Sequence, residues 1–228
     1  MTVATLGVVM LDTRFPRPRG DIGNAQTFAF PVHYRTVASA SPRRVVIERD
    51  PALLAPFIDA ARALEREGVA AVTTSCGFLA LFQREMAAAL AVPVWTSSLL
   101  LVAEIEAGWR DGRRVGVVTA DAASLTAEHL GAVGARADTP VEGLANDSPF
   151  RATLLDDLDT LDEDEARQAT VAAAERLVAR RPDVRAIVLE CTNLPPYADA
   201  VRAATGLPVH DITTLVRSRL GTSARALA

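Results

Sequence analysis

The sequence predicts an α/β fold of two pseudosymmetric halves, each a mostly parallel sheet flanked by helices. Short runs of β-branched residues alternate with stretches rich in Ala, Leu and Arg along the whole chain, which is typical of βα units. The 228 residues are 50% hydrophobic and 23% charged. That composition supplies enough apolar sequence for one large domain or two small ones.

The predicted elements alternate from one end of the chain to the other. Pro51 and Ser97 are typical of helix starts, and Gly68, Gly112 and Gly206 stand where helices are expected to end. We predict strands at 6–11, 45–48, 69–74, 94–96, 114–119, 137–142, 186–190 and 209–212. We predict helices at 51–67, 78–90, 97–109, 122–133, 148–158, 163–180, 197–204 and 213–220.

Three segments of the first half recur in the same order in the second half. LGVVMLD at 6–12 resembles VGVVTAD at 115–121, and VAAVTTSC at 69–76 resembles VRAIVLEC at 184–191. LAVPV at 90–94 resembles TGLPV at 205–209. The cysteines and the prolines of the last two pairs share one offset, since 191 − 76 = 115 and 208 − 93 = 115. The order of the three matches indicates two similar halves.

The only two cysteines, Cys76 and Cys191, stand at corresponding points where a strand opens into a loop. Ligands of parallel α/β sheets bind outside the carboxyl ends of the strands, so facing halves would place the two thiols on opposite walls of one cleft. Helix N-termini at that cleft would bind a carboxylate and favour a thiolate. Further hydrogen bonds to a substrate are expected from the hydroxyls at these strand ends, those of Thr74, Ser75, Thr119 and Thr192.

Two opposed thiols suit the inversion of a carbon centre. A thiolate on one face removes a proton, and a thiol on the other face returns one. No cofactor motif occurs, so hydrogen-bond donors or the exclusion of water must stabilise the carbanion. Two cysteines with scattered histidines match no zinc pattern, and no metal is predicted. The alternative is that both cysteines are structural, because free cysteine is usually buried.

The two-half layout, with TSCG at 74–77 and ECTN at 190–193, resembles the aspartate/glutamate/hydantoin racemase superfamily over nearly the whole chain. The resemblance implies cofactor-independent racemisation or epimerisation by two bases, Cys76 and Cys191. Asp12 and Thr13 resemble the family's acidic-plus-hydroxyl pair after the first strand. Asp12 is therefore predicted to orient or polarise a catalytic group, and Thr13 is predicted to hold the substrate.

The resemblance also predicts how the halves divide and what they bind. Thr119 matches the family's threonine at the opening of the second half. The last helix is implied to return to the first half, which predicts a first lobe of residues 1–97 plus 211–228 and a second lobe of 98–210. The substrate is expected to be a small amino acid or derivative with a carboxylate or hydantoin group.

Two departures from glutamate racemases leave the substrate open. Those enzymes carry Cys-Asn-Thr and Cys-Thr-His, whereas this chain has CGF at 76–78 and CTN at 191–193. Gly77, Phe78 and Asn193 are therefore predicted to contact an aspartate-like, hydantoin-like or other small carboxylate. The long segment that runs from 14–24 through 31–34 replaces a short loop, and its prolines suggest an ordered, lid-like segment.

Composition narrows the partners to small molecules. The net charge of −4 and the scattered arginines do not favour nucleic acid, and no run approaches the ~18 apolar residues of a membrane span. No secretory signal is recognised after Met1, so a cytoplasmic location is expected. Homo-oligomerisation is left open. Two other functions also stay open, a cysteine-dependent cis–trans isomerase of the maleate isomerase type and a non-catalytic small-molecule-binding or sensing protein.

Overall fold

The computed structural model describes residues 4–226. In this range the chain forms two four-stranded parallel sheets. The strands are β1 (Leu6–Leu11), β2 (Val32–Val37), β3 (Ala71–Thr74), β4 (Val94–Trp95), β5 (Arg114–Thr119), β6 (Val141–Gly143), β7 (Val184–Leu189) and β8 (Val209–His210). Their order is β2-β1-β3-β4 in the first sheet and β6-β5-β7-β8 in the second. Each strand of one sheet has a counterpart in the other, which confirms the prediction of two similar α/β halves.

Helices flank both sheets, and short 3₁₀ turns lead into several of them. Such turns occupy Pro51–Leu53, Gly77–Phe82 and Pro195–Tyr197. The α-helices are α1 (Leu54–Arg66), α2 (Gln83–Ala89), α3 (Leu100–Ala107), α4 (Ala127–Ala132), α5 (Pro149–Leu155), α6 (Glu163–Arg180), α7 (Ala198–Thr205) and α8 (Ile212–Ala226).

Side-chain caps explain several helix ends. The Asp162 carboxylate accepts hydrogen bonds from two N–H groups of the first turn of α6, which satisfies donors that have no partner within the helix. Ser148 accepts from the N–H of Arg151 in the same way and begins α5. Gly206 ends α7 with φ +67°, a left-handed conformation that glycine adopts without steric penalty.

One predicted strand is wrong and one strand was not predicted. Residues 45–48 do not form a strand, because Arg43–Ile47 is a π-helical turn that buries the adjacent Val45 and Val46 together. The second strand of the first half is β2, an edge strand whose side chains are mostly exposed. A short apolar run does not distinguish strand from turn, and a polar edge strand lacks a hydrophobic pattern. The strand predicted at 137–142 likewise begins only at Val141, after a turn.

The buried apolar side chains join the elements into one body. One cluster contains residues of both sheets, among them Val9 and Val72 of the first and Val117 and Val188 of the second. Side chains of α8, including Leu215, pack with those of β1 and β4 in a further cluster. The last helix therefore lies on the first sheet. Burial of each large apolar side chain stabilises the fold by about 1.5–3 kcal/mol.

Candidate active site

A small cavity lies where the carboxyl ends of the two sheets meet, and both halves line it. Its volume is ≈ 30 Å³. One water needs roughly 10–15 Å³ by the same measure, so the cavity holds two or three waters at most, and a substrate requires the halves or a loop to move apart. The lining residues are Leu11, Phe15, Pro42, Val46, Ser75, Cys76, Gly77, Phe78, Ala120, Leu154, Leu155, Glu190, Cys191 and Asn193.

Cys76 follows β3 and stands in extended conformation directly before the turn Gly77–Phe82. Its thiol is free and buried. Burial, and then the nearby Glu190 carboxylate, raise the pKa of Cys76 to about 12. The N–H groups of Phe78 and Leu79 and the charge of Arg17 favour the thiolate but do not outweigh burial. Cys76 is therefore a thiol at neutral pH when no ligand is bound.

Cys191 follows β7 at the corresponding position of the second half, and its thiol is also free. The thiol donates a hydrogen bond of 3.4 Å to the side-chain oxygen of Asn193. Burial, followed by the Glu190 carboxylate, raises the pKa of Cys191 well above its ordinary value, and the N–H of Asn193 acts in the opposite direction. Two thiols from matching strand ends thus share one cavity, as the repeat predicts.

Glu190 is a buried acid in the wall of the cavity that these thiols line, and the sequence pattern did not single it out. Its Oε2 accepts a hydrogen bond of 2.6 Å from the Thr119 hydroxyl, whereas Oε1 has no hydrogen-bond partner in the described part of the chain. Burial raises the pKa of Glu190 to about 7, although the Thr119 hydrogen bond favours the ionised form. The available signal is a charged residue at the end of an otherwise apolar strand, and the strand predicted at 186–190 includes it without assigning it a role.

Gly77 allows Glu190 to lie against the Cys76 wall. A Cβ at position 77 would lie well within 3.0 Å of both Oε1 and the backbone oxygen of Glu190, closer than side chains tolerate. The close approach of an acid from the other half thus explains a glycine at this position, where glutamate racemases are expected to carry asparagine.

Asn193 is held by a network from the first half. Its amide nitrogen donates 2.6 Å to Oδ2 of Asp21, which is buried, and Asp21 Oδ1 accepts from Arg17 at 2.9 Å and from the N–H of Gly23 at 2.7 Å. Because its amide nitrogen faces Asp21, the side-chain oxygen of Asn193 faces Cys191. The predicted contact of Asn193 with substrate stays a prediction, but the residue does line the cavity.

Residues 14–24, named here the strap, cross from the first half to the second. The Arg14 backbone N–H donates 2.6 Å to the carboxylate of Asp157, and the Arg14 guanidinium also bonds Asp157. Further along, the N–H of Ile22 reaches the carbonyl of Thr192 at 3.5 Å. The Phe15 ring of the strap lines the cavity, with the Arg17 guanidinium 4.6 Å from its centroid. The strap therefore closes one side of the site.

The predicted hydroxyls mostly hold the cavity walls together. The Thr74 hydroxyl donates to the carbonyls of Cys76 and Thr96, and the Thr192 hydroxyl donates to the carbonyl of Ser75 at 2.6 Å. The Ser75 hydroxyl accepts from the N–H of Leu11 at 2.8 Å. Of these three predicted contacts, Ser75 alone lines the cavity.

Asp12 and Thr13 lie outside the cavity lining. Asp12 is exposed, and its carboxylate accepts a hydrogen bond of 3.1 Å from the N–H of Ser39. Thr13 accepts from Arg17 at 2.9 Å and so supports the strap. Their predicted roles in orienting and binding the substrate stay predictions that these positions do not support.

Neither a metal cluster nor a membrane-spanning helix occurs in the described residues. Between residues 4 and 226, no group of three or more His, Cys, Asp or Glu side chains is arranged to hold a metal ion. In the same range no helix has the length and apolar character needed to cross a membrane.

Solved structures with the same fold include a decarboxylase and racemases. Unliganded arylmalonate decarboxylase superposes with a TM-score of 0.61 at 20% identity, over 95% of this chain and 92% of that one. Glutamate racemase from Thermus thermophilus gives a TM-score of 0.53 at 19% identity, over 98% and 81%. At these identities the likeness shows the shared fold.

Sequence identity is higher to proteins that are named lyases than to these solved structures. Dimethylsulfoniopropionate lyase of Durusdinium sp. clade D is 34% identical over 216 residues, which cover 91% of this chain and 71% of that protein. Dimethylsulfoniopropionate lyase 7 of Emiliania huxleyi is 33% identical over 227 residues, 95% of this chain and 66% of that protein. The chain thus spans about two thirds of the length of these relatives. Residues 25–217 match the family described as Asp/Glu/Hydantoin racemase, and the chain therefore belongs to that family.

Proposed function

We propose that this chain is a cofactor-independent lyase that removes the α-proton of a small propionate and expels a leaving group from the next carbon. The observation that carries the proposal is the cavity itself, in which two thiols and a buried carboxyl meet. The relatives suggest the substrate, dimethylsulfoniopropionate, whose sulfonium is such a leaving group.

The first step is the one that racemases of this family would share. A thiolate removes a proton from the carbon next to the substrate carboxylate. The electron pair of that C–H bond forms the carbon–carbon double bond, while the bond from the adjacent carbon to sulfur breaks. The products are acrylate and neutral dimethyl sulfide, and the proton stays on the base. Elimination replaces reprotonation because the substrate carries a leaving group.

Cys76 is assigned as the base. Two N–H groups and the Arg17 charge favour its thiolate, whereas Cys191 has one such N–H, and the Asp21 carboxylate near it opposes ionisation. Cys191 also donates a hydrogen bond to the side-chain oxygen of Asn193, an arrangement that favours the thiol. Both pKa values are high in the ligand-free cavity. A sulfonium beside the thiols would lower both, because a positive charge favours the thiolate.

Closure of the strap supports this chemistry. With Phe15 and other apolar side chains around the cavity, a bound substrate is separated from water, and every charge interaction inside becomes stronger. The 30 Å³ cavity is too small for a substrate, so binding includes movement of the strap or of the halves.

Racemisation of a small amino acid or hydantoin is the second candidate. The specific observation in its favour is Cys191, since elimination needs one base, whereas inversion needs a thiol on each face of the substrate.

A cytoplasmic location and the lobe division at residues 97/98 and 210/211 stay predictions from the sequence.

One experiment distinguishes the two candidates. Dimethylsulfoniopropionate is incubated with the protein in deuterated water, dimethyl sulfide is measured in the headspace, and acrylate is measured by NMR. In parallel, aspartate, glutamate and hydantoins are followed for α-deuterium. The lyase releases dimethyl sulfide and acrylate in equal amounts. Deuterium wash-in to an amino acid or hydantoin, without dimethyl sulfide, would overturn the lyase in favour of the racemase.

Paired variants test the assignment of the base. Cys76→Ser is expected to lower kcat for elimination by about 10²–10⁴-fold, the usual contribution of a general base, and Cys191→Ser by much less. The two substitutions are matched in chemistry and in position within the repeat. Equal losses in both variants, or a larger loss in Cys191→Ser, would refute Cys76 as the base.

A further inference from the structure

A free carboxylate oxygen in a buried wall is unusual. Glu190 is buried, its Oε2 is engaged by Thr119, and its Oε1 has no hydrogen-bond partner among the described residues. Buried polar atoms are nearly always paired, because an unpaired one loses its contact with water without compensation. Glu190 also lines the cavity beside Cys76 and Cys191. The residue with the unpaired oxygen is therefore part of the wall that meets whatever enters the cavity.

Among the described residues, none supplies a cation that pairs with this carboxylate. The nearby cation is Arg17, whose guanidinium donates to Asp21 and to Thr13 and lies over the Phe15 ring. Glu190 has no ion pair in the described part of the chain. The cavity therefore combines an uncompensated carboxylate with mostly apolar walls, a combination that complements a cation carrying methyl groups.

We propose that Glu190 selects a cationic, alkylated onium group in the substrate and serves as its counter-ion. The inference rests on the proposed lyase function and assigns to Glu190 the recognition of the sulfonium. A fully alkylated sulfonium or quaternary ammonium group has no N–H or O–H to donate, so charge and methyl contacts are what can recognise it. The side-chain carboxylate of aspartate or glutamate would meet a like charge at the same place, which disfavours dicarboxylates.

The ionisation of Glu190 agrees with this role. Burial raises its pKa to about 7, and an arriving cation would lower that pKa and hold the group ionised. The groups whose charges bear on the cavity are Cys76, Cys191, Asp21 and Arg17. Of these, Arg17 alone is positive, and Asp21 neutralises it.

The test compares two ligands of the same shape and different charge. 3-(Trimethylammonio)propanoate carries a cationic head, and 4,4-dimethylpentanoate carries a neutral tert-butyl head in its place. Neither contains a sulfonium leaving group. Affinities are measured by titration calorimetry at pH 8. Because this experiment measures binding, the comparison does not depend on catalytic turnover.

The wild-type protein is expected to bind the cationic ligand on the order of 10-fold tighter or more, given the strength of a charge pair in a partly desolvated site. Glu190→Gln, which keeps the shape and the Thr119 contact, should bring the ratio close to one. Glu190→Asp, which keeps the charge, should retain a preference. The matched control is Glu175→Gln, an exposed site with the same change in net charge, which should leave the ratio unchanged.

Failure of the inference and failure of the proposed function give different results. A charge preference that persists in Glu190→Gln, or that is absent from the wild-type protein, overturns the role of Glu190. Absence of dimethyl sulfide release by the wild-type protein overturns the lyase but leaves the charge ratio to be read independently. Circular dichroism and the urea midpoint establish that each variant is folded before its ratio is compared.

Discussion

Replacing Glu190 by glutamine should change how the stability of the fold depends on pH. In the folded protein the pKa of Glu190 is raised from 4.5 to about 7 by burial. A carboxyl with a raised pKa binds more protons when folded than when unfolded, so its stabilising contribution is fully present below pH 4.5 and is lost as pH rises through 7. Glutamine does not titrate, and the variant lacks this loss.

The magnitude follows from the size of the shift. A difference of 7 − 4.5 = 2.5 units corresponds to about 3 kcal/mol over the full range, and to about 2.5 kcal/mol between pH 5 and pH 8. The wild-type protein should therefore lose about 2.5 kcal/mol relative to Glu190→Gln over that interval. This is a large part of the 5–15 kcal/mol typical of small proteins.

His129 contributes in the opposite direction, so the wild-type curve alone is not diagnostic. Burial lowers the pKa of His129 from 6.5 to about 4. Between these two pH values the unfolded chain therefore binds more protons at His129 than the folded protein does. Its contribution to stability grows as pH rises from 4 to 6.5 and offsets the loss from Glu190 there. The difference between wild type and variant removes the His129 effect, which both proteins share.

Urea unfolding followed by tryptophan fluorescence measures this difference. Free energies of unfolding are determined at half-unit steps from pH 5 to pH 8, below the range in which the cysteines titrate. A difference between the two proteins that stays constant within 0.5 kcal/mol over the interval, a limit close to the error of extrapolation, would refute a protonated, unpaired Glu190.

Two further substitutions test the contacts that build the site. Gly77→Ala should lower the free energy of unfolding by about 1–3 kcal/mol or more, because the added Cβ overlaps the buried carboxylate of Glu190. The control Gly131→Ala, at a glycine with open space around it, should be neutral or stabilising, and equal urea midpoints for the two variants would contradict the close approach. Asp21→Asn should lower the free energy of unfolding by about 3 kcal/mol, because it leaves the largely buried charge of Arg17 without its partner. The control Asp199→Asn, in an exposed ion pair, should change it by less than about 1 kcal/mol. Unfolding of both variants at the same urea concentration would show that the Arg17–Asp21 pair does not stabilise the fold.

Local patterns predicted much of the fold. The bounds of β1, β5 and α6 agree with the prediction because these segments have strong apolar runs or a well-capped start. The edge strand β2 lacked such a signal, since its side chains face solvent and its hydrogen bonds to β1 define it. The repeat also placed Cys76 and Cys191 correctly at matching strand ends, because that relation depends on order along the chain.

The sequence by itself determined two α/β halves and the pair of cysteines at their strand ends, because alternation and repetition are local properties. Only the tertiary structure decided what surrounds those cysteines. The hydrogen bond of Thr119 to Glu190 spans 71 residues, and that of Asn193 to Asp21 spans 172. The first joins the ends of neighbouring strands in one sheet and the second joins the two halves, so both are tertiary contacts that no local pattern encodes. These contacts bury an acid in the wall of the cavity that both thiols line and leave one of its oxygens without a hydrogen-bond partner in the described part of the chain.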